Sequence, residues 1–273
     1  MGVDVNTSDL DILGFIFAFL IGVTLGTTGA GGAVMTISVL VYVMGFTPTE
    51  ATSYSLLIVG TTALVGSLDY FRKGNVDVKK GLFFSFPAFV MVLLMRRYVL
   101  PVMPDTVFRS SVFTLEKDHM IMLVFAILMI ISSYSMIVNK KKAKQLVEKE
   151  VNYVFIFLEG IVVGVLTGFV GAGGGFMIIP ALVLFAHLPM KKAIGTSLFI
   201  ITINSAFGVL GDVLAGAEID LLFFVKFASL TIAGILTGSY LARFIPNDKL
   251  KSGFGWFVLV LGAWILVKET FFK

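Results

Sequence analysis

Of the 273 residues, 58% are hydrophobic and only 14% charged, and the mean hydropathy is +0.99. A soluble domain carries about 45–50% apolar and about 25% charged residues, so a single water-soluble core is excluded and lipid must cover the surplus. The formal charge of +4 comes from lysines gathered at the ends of apolar runs, a mark of membrane topology and not of nucleic-acid binding. With no cysteine in the chain, disulfides, thiolate chemistry and iron–sulfur clusters are removed as well.

A bilayer-crossing helix needs about 20 apolar residues, and the apolar runs here lack the alternation of barrel strands. The first run, about Asp11 to Thr28, follows an acidic stretch (Asp4, Asp9, Asp11) without Lys or Arg. It therefore reads as a retained helix and not a cleaved signal peptide. It breaks at Gly29-Ala30-Gly31-Gly32. A short helix over about Ala33–Gly45 ends before Pro48, and full spans are predicted near Thr49–Tyr70, Lys80–Leu100 and His119–Val138. Residues 139–150 hold Lys140, Lys141, Lys142, Lys144 and Lys149 and form a basic linker.

The second half repeats this plan. A helix over about Val151–Val170 breaks at Gly171-Ala172-Gly173-Gly174-Gly175, and a short helix follows over about Phe176–His187. Spans are expected near Lys191–Ala215, Leu221–Phe244 and Gly253–Phe271. An offset of 142 (168 − 26) pairs Gly22 with Gly164, Gly26 with Gly168, Met35 with Met177 and Ser55 with Ser197. The register runs without a gap to Gly74 and Gly216, which identifies an internal repeat.

Positive loops stay inside, so the linker 139–150 is expected in the cytoplasm and both termini outside. The loops with Arg72, Lys73, Lys79 and Lys80, with Lys191 and Lys192, and with Arg243, Lys249 and Lys251 agree. The loop with Arg96, Arg97, Arg109 and Lys117 does not. Each half contributes a hairpin plus three crossings, an odd number, so the halves lie upside down to one another. The expected fold is an all-α integral membrane protein of two inverted homologous halves, 1–138 and 151–273. Each is a broken or re-entrant helical hairpin plus three transmembrane helices, about eight full spans and two short helices in all.

Glycine clusters inside apolar runs free backbone groups that are tolerated at membrane depth only in protein or beside water. The short helices then present N–H groups and a positive dipole end. With inverted halves, these termini are expected to converge near the midplane on one anion site, built from backbone and not from lysine or arginine. Close packing explains Gly22, Gly26, Gly164 and Gly168; for Gly29–Gly32 and Gly171–Gly175 the break is favoured. Thr52, Ser53, Tyr54 and Ser55 open one span, and Gly195, Thr196 and Ser197 open its equivalent. Their hydroxyls either donate to an anion or bond back to their own helices. Asn204 either lines the route or ties helices together, and Glu159 is either a proton carrier or an interfacial partner of a lysine. Asp69 and Asp212 read as interfacial, His187 as a cap, and Lys226 as snorkelling. Two histidines and no cysteine point to no metal, no cofactor and no catalytic residues.

The stretches GVTLGTTGAGGAVMTI with ATSYSLL, and GVLTGFVGAGGGFMIIPAL with AIGTSLF, carry a family resemblance, together with Arg96-Arg97-Tyr98, Pro101 and Pro104. They resemble the TauE/SafE family of sulfite exporters over nearly the whole chain. The resemblance implies a multi-pass permease of the plasma (inner) membrane for sulfite, a sulfonate or a carboxylate, with the two glycine clusters and the Ser-Leu elements lining the route. Ala33, where the second half has Gly175, makes the two sides unequal. The expected function is a secondary transporter for a small anion, with protons as a candidate coupling ion. The alternatives are an anion channel with the same glycine constriction and a membrane assembly factor without transport.

Overall fold

The computed structural model describes residues 7–29, 31–109, 114–138, 153–171, 175–184, 186–242 and 244–271. The basic linker 139–150, Ala30 and Ala172–Gly174 lie outside the described residues. Helices α1 (Thr7–Thr28), α2 (Gly31–Tyr42), α3 (Pro48–Arg72) and α4 (Val78–Leu94) come first. A π-turn over Met95–Val99 and a short α5 (Leu100–Val102) extend α4. Next come α6 (Lys117–Val138), α7 (Tyr153–Val170), α8 (Gly175–Leu184), α9 (Met190–Leu214), α10 (Leu221–Leu241) and α11 (Asn247–Phe271).

Six of these helical stretches are long and apolar enough to cross a membrane among the described residues, and Leu13–Thr28 and Gly32–Tyr42 are shorter apolar helices. Large apolar side chains such as Phe86, Ile131, Leu222 and Val260 stand on the outer surface, where only lipid can cover them. The chain is a multi-pass membrane protein. The all-α expectation misses a two-stranded antiparallel hairpin, β1 (Thr106–Arg109) with β2 (Thr114–Glu116), in the stretch read as a loop.

Local chemistry sets the helix starts. Thr47 and Glu50 form a reciprocal capping box ahead of Pro48, which satisfies free N–H groups of α3. Asp77 caps α4 through Lys80 N, and Asp220 caps α10 through Leu222 N and Phe223 N. Proline follows the cap of α3 because its missing N–H is not needed there.

Small residues set the packing. A Cβ on Gly22 would overlap the Thr231 carbonyl oxygen, and one on Gly26 that of Ile235, so α1 lies backbone-close and parallel to α10. Gly160 and Gly164 approach Phe84 O and Ala88 O in the same way, so α7 lies parallel to α4. This is the packing role expected for Gly22, Gly26, Gly164 and Gly168. Helices α3 and α9 run antiparallel: Gly195 packs on Tyr70, Gly66 on Leu198, Gly60 on Ser205 and Gly208 on Leu56. Buried Thr62 Oγ1 and Thr231 Oγ1, 2.7 Å apart, tie α3 to α10. Near one end of the bundle, Glu269 of α11 accepts from Tyr42 at 2.8 Å and pairs with His119 at 3.2 Å.

Candidate functional site

Helices α1 and α7 end at the two glycine clusters, at Thr28 and Val170. Gly29 has φ +72° and Gly171 φ +76°, left-handed conformations that glycine adopts without a Cβ penalty. Each closes its helix with an N–H bond, Gly29 to Leu25 O at 2.8 Å and Gly171 to Thr167 O at 2.7 Å. The chain then turns back on itself: Gly32 packs on Leu25, and Thr24 reaches Met35 Sδ at 3.4 Å. Both returning helices are short, 12 residues in α2 and 10 in α8.

The described flanks of the two glycine clusters, Gly29 and Gly171, are seated at different places. Gly29 lies against Ile194 and Ser197 at the start of α9, whereas Gly171 lies against Thr52 at the start of α3. Because α3 and α9 are antiparallel, these positions are at opposite ends of the pair. Thr52 and Gly66, which faces Leu198, are separated by roughly 20 Å at 1.5 Å per residue. The register shows which residues are equivalent, not which half supplies the neighbour. Each break is seated on the other half's span.

The two ends differ chemically. At the Gly29 end, Ser197 Oγ lies 3.0 Å from Gly29 O and 2.8 Å from Ile194 O. Thr196 Oγ1 accepts from Asp77 N at 2.9 Å, Tyr70 donates to Gly26 O at 3.1 Å, and Gly195 packs under Asn75. Polar groups there satisfy one another. At the Gly171 end stands Arg96, whose side chain is 0% exposed. Its Nη1 donates to Thr52 Oγ1 at 3.1 Å, Ser53 Oγ at 3.4 Å and Asp212 Oδ2 at 3.2 Å. Its Nε and Nη2 have no partner among the described residues, nor do buried Ser55 Oγ and Thr167 Oγ1. Ser55 is one turn along α3 from Thr52, and Thr167 one turn before Gly171. Unpaired buried donors are uncommon, and here two belong to the guanidinium, with Ser55 and Thr167 each one turn from a residue that lies against it.

Arg96 therefore corrects its expected place in a loop: it is buried in the helical π-turn. Asp212 is buried against it and not interfacial. The π-turn over Met95–Val99 carries Arg96 on its buried side, while neighbouring Arg97 is exposed and donates to Leu214 O. Such turns recur at functional positions. The signal available in the sequence was a charge next to a long apolar run, which needs a partner inside the bundle.

The remaining candidates separate. Tyr54 accepts from Asp220 N at 2.8 Å and packs edge-on to Phe46 and Phe223, a structural seat. Asn204 is fully buried on α9, its amide atoms without partners among the described residues, as is Ser205 Oγ. Glu159 lies apart from Arg96, in a cavity of about 500 Å³ lined by Leu128, Ile131, Met177 and Pro180 between α6, α7 and α8. Gly31, Gly32 and Gly175 begin the returning helices, and no description covers Ala30, Ala172, Gly173 or Gly174. Among the described residues, no group of three or more His, Asp or Glu side chains is placed to hold a metal.

The model of the sulfite exporter TauE/SafE family matches residues 14–265. The chain is 26% identical over 234 residues to the probable membrane transporter protein YdhB of Bacillus subtilis, covering 86% of this chain and 91% of that protein. It is 26% identical over 257 residues to a probable membrane transporter protein of Xylella fastidiosa (strain Temecula1), covering 90% and 91%. It is also 26% identical to probable membrane transporter protein YunE of Bacillus subtilis, covering 75% and 80%. No solved structure matches the chain significantly. The chain belongs to the sulfite exporter TauE/SafE family and is a membrane transporter.

Proposed function

We propose that this protein is a secondary transporter of a small oxyanion, seated at the Gly171 end of the α3–α9 pair. The observation that carries the reading is the fully buried guanidinium of Arg96, which spends one nitrogen on Asp212, Thr52 and Ser53 and leaves Nε and Nη2 without a partner among the described residues. That edge of an arginine matches two oxygens of a carboxylate, sulfonate or sulfite. Ser55 and Thr167, each one turn from a residue that lies against Arg96, are further hydroxyl donors.

The halves act as inverted repeats. Equivalent helices α3 and α9 are antiparallel, and each break rests on the opposite half, the arrangement used for alternating access. With the linker 139–150 in the cytoplasm of a plasma (inner) membrane protein, the Arg96 end faces outward and the Gly29 end inward. The self-satisfied contacts of Ser197 with Gly29 then close the inner route.

The test is flux in proteoliposomes with methanesulfonate, sulfoacetate, sulfite, sulfate and acetate. Saturable flux of at least one anion is expected in the wild type. Arg96→Gln abolishes it, and Arg96→Lys, a point charge without the planar fork, lowers it at least tenfold. Wild-type flux in Arg96→Gln refutes this seat. Non-saturating electrogenic flux favours a channel.

A further inference from the structure

Arg96 and Asp212 form a buried, electrically neutral pair at 3.2 Å, with side-chain exposures of 0% and 8%. The contact is one-sided. Nη1 alone faces the carboxylate, while the Nε–Nη2 edge has no partner among the described residues. An anion can therefore join Arg96 without evicting Asp212. It then brings a second negative charge to a site with a single positive one, in surroundings that solvate charge poorly.

Resting on the anion seat proposed above, we infer that Asp212 takes up one proton each time a singly charged oxyanion binds Arg96, and that the pair is the coupling element for protons. The empty site holds guanidinium and carboxylate, net zero. The loaded site holds guanidinium, anion and neutral carboxyl, again net zero. The carboxylate oxygen gains the proton on loading and returns it to water on release, so one proton and one anion cross together. A dianion leaves a net negative charge in the interior even with Asp212 protonated, and the site selects against it.

Among the described residues, the charged and titratable groups around Asp212 are few. The π-turn presents Arg96, and Arg97 is held at Leu214 O. On α3, the hydroxyls of Thr52 and Ser53 bond Arg96, Tyr54 is engaged by Asp220 N, and Gly171 presents backbone. Glu218 and Asp220 follow on the exposed loop. Glu159, the acid that sequence reasoning had marked for this role, lines the separate cavity.

The experiment uses the whole protein in liposomes containing a pH dye and tests each anion of the panel that moves. A wild-type count of one proton per methanesulfonate is expected. Accumulation should rise about tenfold per unit of imposed pH gradient, the factor set by one proton per anion. Asp212→Asn loses this gradient-driven accumulation and Glu159→Gln keeps it, while sulfate moves at least tenfold more slowly than methanesulfonate. Asp212→Asn that still accumulates tenfold per unit, a wild type that moves no protons, or a preference for sulfate overturns the inference. If Asp212→Asn does not assemble, the wild-type proton count decides. Anion flux that Arg96→Gln abolishes but that carries no protons sinks the coupling alone. A wild type that moves no anion sinks the transport reading beneath it.

Discussion

Replacing Gly171 with alanine separates two penalties. The residue has φ +76°, and a non-glycine residue in that region costs about 1–2 kcal/mol. The added methyl would also overlap Thr52 Cβ and Arg96 Nη2 and come within 2.7 Å of Thr52 Cα. Arg96 can swing its tip, but Thr52 Cα belongs to the α3 backbone and can yield only if the helix moves. Overpacking of this kind costs about 1–3 kcal/mol, for a total of about 2–5 kcal/mol. Gly74 is the control: φ is +69° and an added Cβ meets nothing within 4 Å, so Gly74→Ala should show only the backbone share of about 1–2 kcal/mol. Unfolding in mixed detergent micelles, followed by circular dichroism, reads both. Gly171→Ala should fall below Gly74→Ala and lose flux at temperatures where it is still folded. Equal stability of the two variants would refute the claim that Gly171 is pinned between α3 and the guanidinium.

Two further pairs test the contrast between the ends and the glue between the halves. Ser197→Ala should cost about 1 kcal/mol by removing its hydrogen bond to Gly29 O, whereas Ser55→Ala, which breaks no such bond, should stay within about 0.5 kcal/mol. Ser55→Ala should nevertheless raise the KM for the transported anion about tenfold or more, because a hydrogen bond to a charged group is worth about 1.5–3 kcal/mol; an unchanged KM removes Ser55 from the site. For Thr62 and Thr231, 2.7 Å apart, a double-mutant cycle of the two Thr→Val changes should give a coupling near 0.6 kcal/mol, the average for hydrogen bonds between membrane helices. A coupling of zero would mean that each hydroxyl is content with its own helix carbonyl.

The helix ends at the glycine clusters were legible because four small residues followed by a shortened helix leave little else to do, and Gly29 and Gly171 there are left-handed. The packing glycines were legible too, since Gly22 and Gly26 share a helix face with the spacing that lets α10 approach. Arg96 was not. A charge at the end of an apolar run looks interfacial until its partner is found, and Asp212 lies 116 positions away on another helix. The π-turn that holds Arg96 has no pattern of its own in the sequence. A short strand pair inside a polar loop leaves little trace either.

The repeat also explains why the charge pair occurs once. From α4 to α10 the offset grows by one, since Gly164 packs on Ala88 as Gly22 packs on Thr231. Ser239 then stands in the place of Arg96, and Tyr70 in that of Asp212. Ser239 Oγ donates to its own helix at Leu236 O, 3.2 Å away, and Tyr70 donates to Gly26 O. The second copy thus converts an ion pair into two neutral, self-satisfied contacts on a backbone-close seam, where Gly26 packs against Ser239 N. An arginine there would have to displace α1 from α10 to find room. If the anion is seated at Arg96, as proposed, a scaffold with one charged end must move to release it at the other, which is what would separate a carrier from a symmetric pore.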